Sequence, residues 1–266
     1  MLGHHDALDG ATPPALELHG DSSLPLFEGL LTGRAEQSGK KFTIDLALDG
    51  EQRSAACRLL NERYGWRGYG SEHRLNRNAD ITTFAASVDN EVVGTLSLTV
   101  DSPAGLAADA SFADLLDDMR AVPGTRLCEL TKFAVAKDLT SLHVLASLFH
   151  TIFIFGVGHY DCTDLVIEVN PRHVRFYEVM LDFARVGELR NNQSVGAPSQ
   201  LMRLKVADIA RHIQRHVETG SRAGRSLYPY FLTAAQECLI QERMADLDRR
   251  WPFIAQRSNR SPARSY

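Results

Sequence analysis

Residues 127–156, "LCELTKFAVAKDLTSLHVLASLFHTIFIFG", constrain the fold more than any other stretch of the chain. They predict a strand that runs directly into a long helix, because a short apolar run is followed by an apolar stretch of helical length. Residues 141–157 barely reach the length that spans a membrane, and His143 and His150 interrupt them. We therefore predict a helix that is buried on most of its faces, and no integral membrane segment.

Strands and helices are predicted to alternate around this unit. Residues 82–100 alternate apolar and polar side chains and break at Asp89 and Asn90, which predicts a hairpin with a tight turn. Pro171 predicts the first turn of a helix, where its missing N–H costs nothing. We expect an α/β fold with a mixed central sheet flanked by helices. The other predicted strands are residues 41–49, 163–169 and 199–206, and the other predicted helices are 50–66, 111–121 and those after 207.

The chain divides by composition into three parts. Residues 1–40 are rich in Pro, Gly, Ser and Asp and predict a flexible leader. Residues 41–207 hold the predicted sheet. Residues 208–266 predict a helical C-terminal extension that ends in a basic tail.

Charge and cysteine usage restrict the function. The net charge of −4 disfavours a nucleic-acid partner, which needs a basic face for phosphates. The four cysteines are scattered, without a Cys-x-x-Cys pair, which indicates reduced thiols in a cytoplasmic protein and no zinc cage. No secretory signal is recognisable at the N-terminus. Because His212 and His216 have no third ligand nearby, we expect no metal site.

Four motifs then carry a family resemblance over residues 41–207. "RLLNERYGW" and "ELTKFAV" resemble motifs of the acyl-homoserine-lactone synthases, within an element order similar to the GCN5-related N-acetyltransferase (GNAT) fold. "VNPRHVRFYEVMLDFARVGELR" and "VGAPSQLMRLKV" instead resemble the FeeM-type long-chain N-acyl amino acid synthases. The resemblance implies a GNAT-like acyltransferase that moves a long-chain fatty acyl group from acyl-carrier protein to the amine of an amino acid.

Three other functions remain open from the sequence. The chain is alternatively an acyl-homoserine-lactone synthase, an acyl-coenzyme A-dependent N-acetyltransferase, or a non-catalytic domain that binds an acyl ligand and regulates a partner. The segment "AVAKDLTS" has no glycine, whereas a coenzyme A pyrophosphate needs backbone N–H groups that glycines help to expose. This favours the phosphopantetheine thioester of acyl-carrier protein over acyl-coenzyme A as the donor, with no bound cofactor. Carrier proteins are acidic, so the basic tail is a candidate docking surface, or else a solvated tail.

The candidate catalytic residues are Glu129 and Tyr177. A buried carboxylate is costly without a partner, so Glu129 is expected either to act as a general base or amine-positioning group, or to pair with Arg126 or Lys132. The resemblance implies that Tyr177 protonates the leaving thiolate; otherwise it anchors the core. A bulge in the strand would bring Lys132 to the face of Glu129, where it would hold the acceptor's carboxylate; alternatively, its aliphatic stem packs on the core and its charged end reaches solvent.

The remaining candidates bind substrate or line the acyl pocket. The resemblance implies that Arg58 and Trp66 belong to a lid over the acceptor, although packing at a helix end fits them equally well. Phe133, the aromatic residue of the strand motif, and the pair Arg172 and His173 are further candidate substrate-binding residues. An acyl-chain pocket, or an ordinary core stripe, is predicted along one face of the long helix at Leu142, Leu145 and Phe149.

Overall fold

A computed structural model of the chain describes residues 24–31, 39–48, 50–65, 73–75, 80–139, 141–219 and 225–250. These residues form eight strands and six α-helices. The strands are β1 (Phe27–Leu30), β2 (Lys41–Leu46), β3 (Ile81–Val88), β4 (Glu91–Val100), β5 (Leu127–Val135), β6 (Asp164–Val169), β7 (Ala184–Asn192) and β8 (Ala197–Lys205). The helices are α1 (Gly50–Gly65), α2 (Asp109–Arg120), α3 (Leu142–Tyr160), α4 (Pro171–Leu181), α5 (Val206–Thr219) and α6 (Ala234–Arg250).

The strands form one mixed sheet in the order β1-β2-β3-β4-β5-β6-β8-β7. Neighbouring strands are antiparallel except β5 and β6, which are parallel because α3 returns the chain across the sheet. The predicted hairpin is confirmed: Asp89 and Asn90 have φ values of 49° and 67°, which a tight primed turn requires and which Asx residues tolerate. The α/β class with a mixed central sheet is therefore confirmed.

Helices cover both faces of the sheet. On one side, the α1–α2 face, α2 packs on Leu127 and Val166 and α1 packs on Ala134. On the other side, the α3 face, the main hydrophobic core joins α3 and α4 to Leu130 and Ile167. Because side chains alternate along a strand, these clusters assign each residue of β5 and β6 to a face.

The helix α3 is the central helix of this core. Ser141 caps its first turn by accepting a hydrogen bond from the Val144 N–H, at 3.4 Å, as an N-cap serine does. Within the described residues, α3 alone is long and apolar enough to cross a membrane, but most of that stretch is buried inside the protein. Its apolar composition is thus explained by packing between the sheet and α6.

The N-terminal end of the chain differs from the sequence-based expectation, whereas the helices predicted after residue 207 are present. Phe27–Leu30 lie in the segment expected to be a flexible leader, yet they form β1 at the sheet edge, where Phe27 packs against Phe42. The C-terminal helices share the main core, to which α6 contributes Ile240 and Met244. Strand β7 was not predicted. The basic tail after residue 250 lies outside the described residues.

Candidate active site

The candidate site opens where the parallel strands β5 and β6 separate. Their pairing ends at Glu129↔Val166, while β5 continues against β4 and β6 continues against β8. The separated strands flank a cavity of about 360 Å³, which is within the usual range of ~300–1,000 Å³ for ligand pockets. Past Glu129, the side of β5 that faces β6 has no strand partner among the described residues, so its peptide groups are available to a ligand.

A β-bulge in β5 shapes the wall of this cavity. The register between β4 and β5 shifts because β5 has one extra residue, and Lys132 adopts a left-handed φ of 54°. Phe133 then returns to the α3 face, where its ring lies 5.2 Å from that of Phe149. Burial lowers the pKa of Lys132, and the nearby Cys57 of α1 raises it. The predicted bulge is present, and it leaves Lys132 on the α1–α2 face, the face of Glu129.

One end of the cavity is apolar. Here Phe133 is nearly parallel to Phe176 of α4, with 6.2 Å between ring centroids, and Phe176 contacts Tyr177 edge-on. Tyr177 is buried and also packs on Phe183. The side chains that complete this end come from β5, β6 and α3: Leu130, Val135, Leu145 and Val169.

The opposite end of the cavity is polar. The Oε1 atom of Glu168 accepts hydrogen bonds from Asn192 Nδ2, at 2.8 Å, and from Ser199 Oγ, at 2.6 Å. Tyr64, at the end of α1, also lines this cavity. The rings of Tyr64 and His73 are arranged edge to face, with 4.8 Å between their centroids. The cavity thus joins an apolar compartment to a compartment with a carboxylate.

Glu129 lies beside this polar end but is not part of the cavity wall. Its side chain is 1% exposed, and its Oε2 accepts a hydrogen bond from the Ala107 N–H at 2.7 Å. Burial raises the pKa of Glu129 to about 7; the N–H groups of Ala107 and Ala108 lower it, and the charge of Glu168 raises it further. Glu129 therefore accepts hydrogen bonds from the backbone that immediately precedes α2, and it holds a proton more readily than an exposed glutamate.

The predicted ion pair of Glu129 with Arg126 or Lys132 is wrong for the described residues. Arg126, just before β5, instead has its guanidinium 3.9 Å from the carboxylate of Asp161. Lys132 lies on the same face of β5 as Glu129, but the two side chains form no ion pair in the part of the chain that the structure describes. Backbone N–H groups therefore take the place of the side-chain partner that was one of the two alternatives for Glu129.

The structure brings together some of the predicted site residues. Lys132, Phe133, Leu145, His173 and Tyr177 all line the cavity. The acyl-pocket candidate Phe149 is fully buried behind Phe133.

Other predicted residues lie away from the cavity. Leu142 is 37% exposed at the start of α3. Arg58 is exposed on α1, and Arg172 is exposed and donates to Asn170 Oδ1 at 3.0 Å. Trp66 lies outside the described residues.

Sequence reasoning missed Glu168, Asn192 and Ser199. Glu168 belongs to a strand that was interpreted as continuously apolar, and a lone carboxylate in such a strand was the available signal. Its two partners come from β7 and β8, and their proximity depends on the sheet order, which a single sequence does not display.

Several solved structures are similar to this chain. The structure of FeeM, an N-acyl amino acid synthase from uncultured soil microbes, is 26% identical, with a TM-score of 0.57, and the match covers 64% of this chain and 92% of that one. The acyl-homoserine-lactone synthase LasI is 14% identical, with a TM-score of 0.49, over 63% of this chain and 91% of that one. A probable acetyltransferase from Staphylococcus epidermidis is 15% identical, with a TM-score of 0.44, over 62% and 98% of the two chains. A search of curated protein sequences gives no significant match.

The fold and the similarity to FeeM define the protein as an acyltransferase with a mixed central sheet. The family model of the N-acyl amino acid synthase FeeM matches residues 55–205, which is more than half of the chain. The chain belongs to the FeeM family of N-acyl amino acid synthases.

Proposed function

We propose that this enzyme transfers a long-chain fatty acyl group from acyl-carrier protein to the amine of a free amino acid. The observation that carries the proposal is the cavity between β5 and β6, which has an apolar end and an end with a carboxylate. A thioester held between these ends has its acyl chain among apolar side chains and its carbonyl carbon near the amine-binding groups.

The open edge of β5 suits the arm that delivers the thioester. A phosphopantetheine arm is extended and contains amide groups, so it can pair with free backbone groups as an added strand does. Val135 and Leu145, on either side of the β5–α3 junction, both line the cavity. The arm would therefore enter at this junction and point its sulfur toward Tyr177.

The junction also favours a carrier protein as donor. It has no glycine, and the Val144 N–H at the start of α3 is already bonded to Ser141. That arrangement leaves fewer backbone donors for a pyrophosphate, whereas the arm of a carrier protein brings one phosphate. The basic residues Lys137, in the junction, and Arg172 and Arg175, on α4, are exposed and suit an acidic carrier.

Direct transfer fits the side chains of the cavity. No cysteine is found among the described residues that line it, and its Ser199 donates to Glu168 rather than to a histidine. In direct transfer the amine nitrogen attacks the thioester carbonyl, a C–N bond forms and the C–S bond breaks. Of the two protons that the ammonium loses, one goes to the thiolate, through Tyr177, and one is released.

Four free cysteines agree with a reducing, cytoplasmic location.

A product screen tests the donor and the acceptor together. The purified protein is mixed with the twenty amino acids and with lauroyl- to stearoyl-loaded carrier protein, and in parallel with the matching acyl-coenzyme A. We expect N-acyl amino acids from the carrier-protein reactions. Product from coenzyme A alone would overturn the donor assignment. Saturating acyl binding without any product would favour the regulatory alternative.

A further inference from the structure

Glu168 occupies a position in the cavity that neither the motifs nor the sequence pattern assigned. It follows Val166 on β6 by two residues, so its side chain lies on the α1–α2 face, just past the last pair between β5 and β6. It is partly exposed and lines the cavity, whereas Glu129 is buried behind it. Glu168 is therefore the carboxylate that a molecule in the cavity meets.

Two hydrogen bonds fix the orientation of this carboxylate. Asn192 Nδ2 and Ser199 Oγ both donate to Oε1. The amide of Asn192 is itself oriented, because its Oδ1 accepts the Ser194 N–H at 2.8 Å. The donors found among the described residues thus engage one oxygen of Glu168 and leave Oε2 for a ligand.

The groups around Glu168 select the ligand. A carboxylate with one free oxygen binds a cation that donates hydrogen bonds, and an ammonium group is such a cation. Lys132 lines the same cavity and supplies a positive charge for a carboxylate. An α-amino acid has both groups on one carbon, so it matches a site with one acid and one base.

We propose that Glu168 binds the ammonium group of the acceptor amino acid and takes the proton that must leave before the nitrogen attacks. This assignment rests on the proposed acyl transfer. Glu168 contacts the reacting nitrogen, whereas Asn192 and Ser199 are positioning residues. Glu129 is buried and does not line the cavity, so it does not contact the acceptor. The titratable groups that share the cavity wall with Glu168 are Lys132, Tyr64, His173 and Tyr177, and the buried Glu129 lies close enough for the two carboxylates to interact electrostatically.

The test compares Glu168→Gln with wild type in amide formation from the loaded carrier protein. Gln preserves the shape and the acceptor oxygen but cannot take a proton. We expect kcat/KM for the amino acid to fall by about 100-fold, a typical loss for a missing general base. The acid limb of the pH profile should disappear in this variant and persist in Glu129→Gln. The matched control is Glu188→Gln, an exposed glutamate on β7 outside the cavity, which should retain wild-type rates.

A second acceptor separates chemistry from folding. Aminooxyacetic acid has a carboxylate and an amino group that is already neutral at neutral pH, so it needs no base. We expect Glu168→Gln to acylate it within threefold of the wild-type rate. If this variant acylates neither acceptor, the proposal is overturned. An unchanged rate of amino-acid acylation would also overturn it. An acid limb that disappears in Glu129→Gln instead would assign the base to Glu129.

The wild-type reaction distinguishes the two proposals. If wild type forms no amide with any donor, the proposed function fails and the role of Glu168 falls with it. If wild type forms amide and Glu168→Gln does so equally well, only the role of Glu168 is refuted.

Discussion

Replacing the buried Glu129 by glutamine should change how stability depends on pH. Burial raises the pKa of Glu129 from its usual 4.5 to about 7. Between these values the folded protein keeps a proton that the unfolded chain has released. The contribution of this carboxyl to the free energy of unfolding is therefore largest below pH 4.5, and it decreases as the pH rises through 7. The pKa difference corresponds to a loss of about 3 kcal/mol across that window.

Urea unfolding of wild type and Glu129→Gln, at steps from pH 4.5 to pH 8, measures this effect. Glutamine does not titrate, so the stability of the variant relative to wild type should increase by about 3 kcal/mol over the range. Other titrating groups occur in both proteins and cancel in the difference. The exposed control Glu188→Gln should follow the wild-type profile. Parallel profiles for wild type and Glu129→Gln would refute the inference that burial holds a proton on this carboxyl.

Three further perturbations follow from the packing. Burial lowers the pKa of His150 to about 3, so the folded protein keeps this side chain neutral while the unfolded chain binds a proton. The free energy of unfolding of wild type should therefore fall by about 2 kcal/mol between pH 6.5 and pH 5. His150→Gln should not show this decrease. Tyr177→Phe should lower kcat by about 100-fold without weakening donor binding, and an unchanged kcat would reduce Tyr177 to a packing residue. Gly187 has a φ of 63°, and a Cβ at this position would lie 2.6 Å from the side chain of a leucine of α2. Gly187→Ala should therefore lower the free energy of unfolding by ~1–3 kcal/mol in the same urea titration. Gly196 has a similar φ of 60° but open space around it, so Gly196→Ala should lower the free energy of unfolding by less.

Local signals explain which elements the sequence predicted. The β5–α3 junction and the hairpin at Asp89 were predictable because each depends on residues that are neighbours in the chain. Strand β1 has four residues, too few for a pattern to be recognised. Strand β7 has an irregular register beyond Val186, which disrupts the alternation that would reveal it.

The site was predictable only in part, for a related reason. Lys132, Phe133 and Tyr177 were found because they belong to motifs or to apolar strand and helix patterns. Glu168 was not found, because its significance depends on Ser199 and on the end of the β5–β6 pairing. Those contacts arise from the tertiary arrangement, which the local pattern of "TDLVIEV" does not contain.

Intact-mass spectrometry of a quenched reaction tests direct transfer in the cavity most simply. The enzyme, a palmitoyl-loaded carrier protein and an acceptor found in the product screen are mixed, and the masses of both proteins and of the amide are followed over time. The account predicts that the acyl mass leaves the carrier protein at the rate at which the N-acyl amino acid forms, while the mass of the enzyme stays constant. A transient increase in the enzyme's mass by one acyl group, appearing before the amide, would contradict direct attack by the amine.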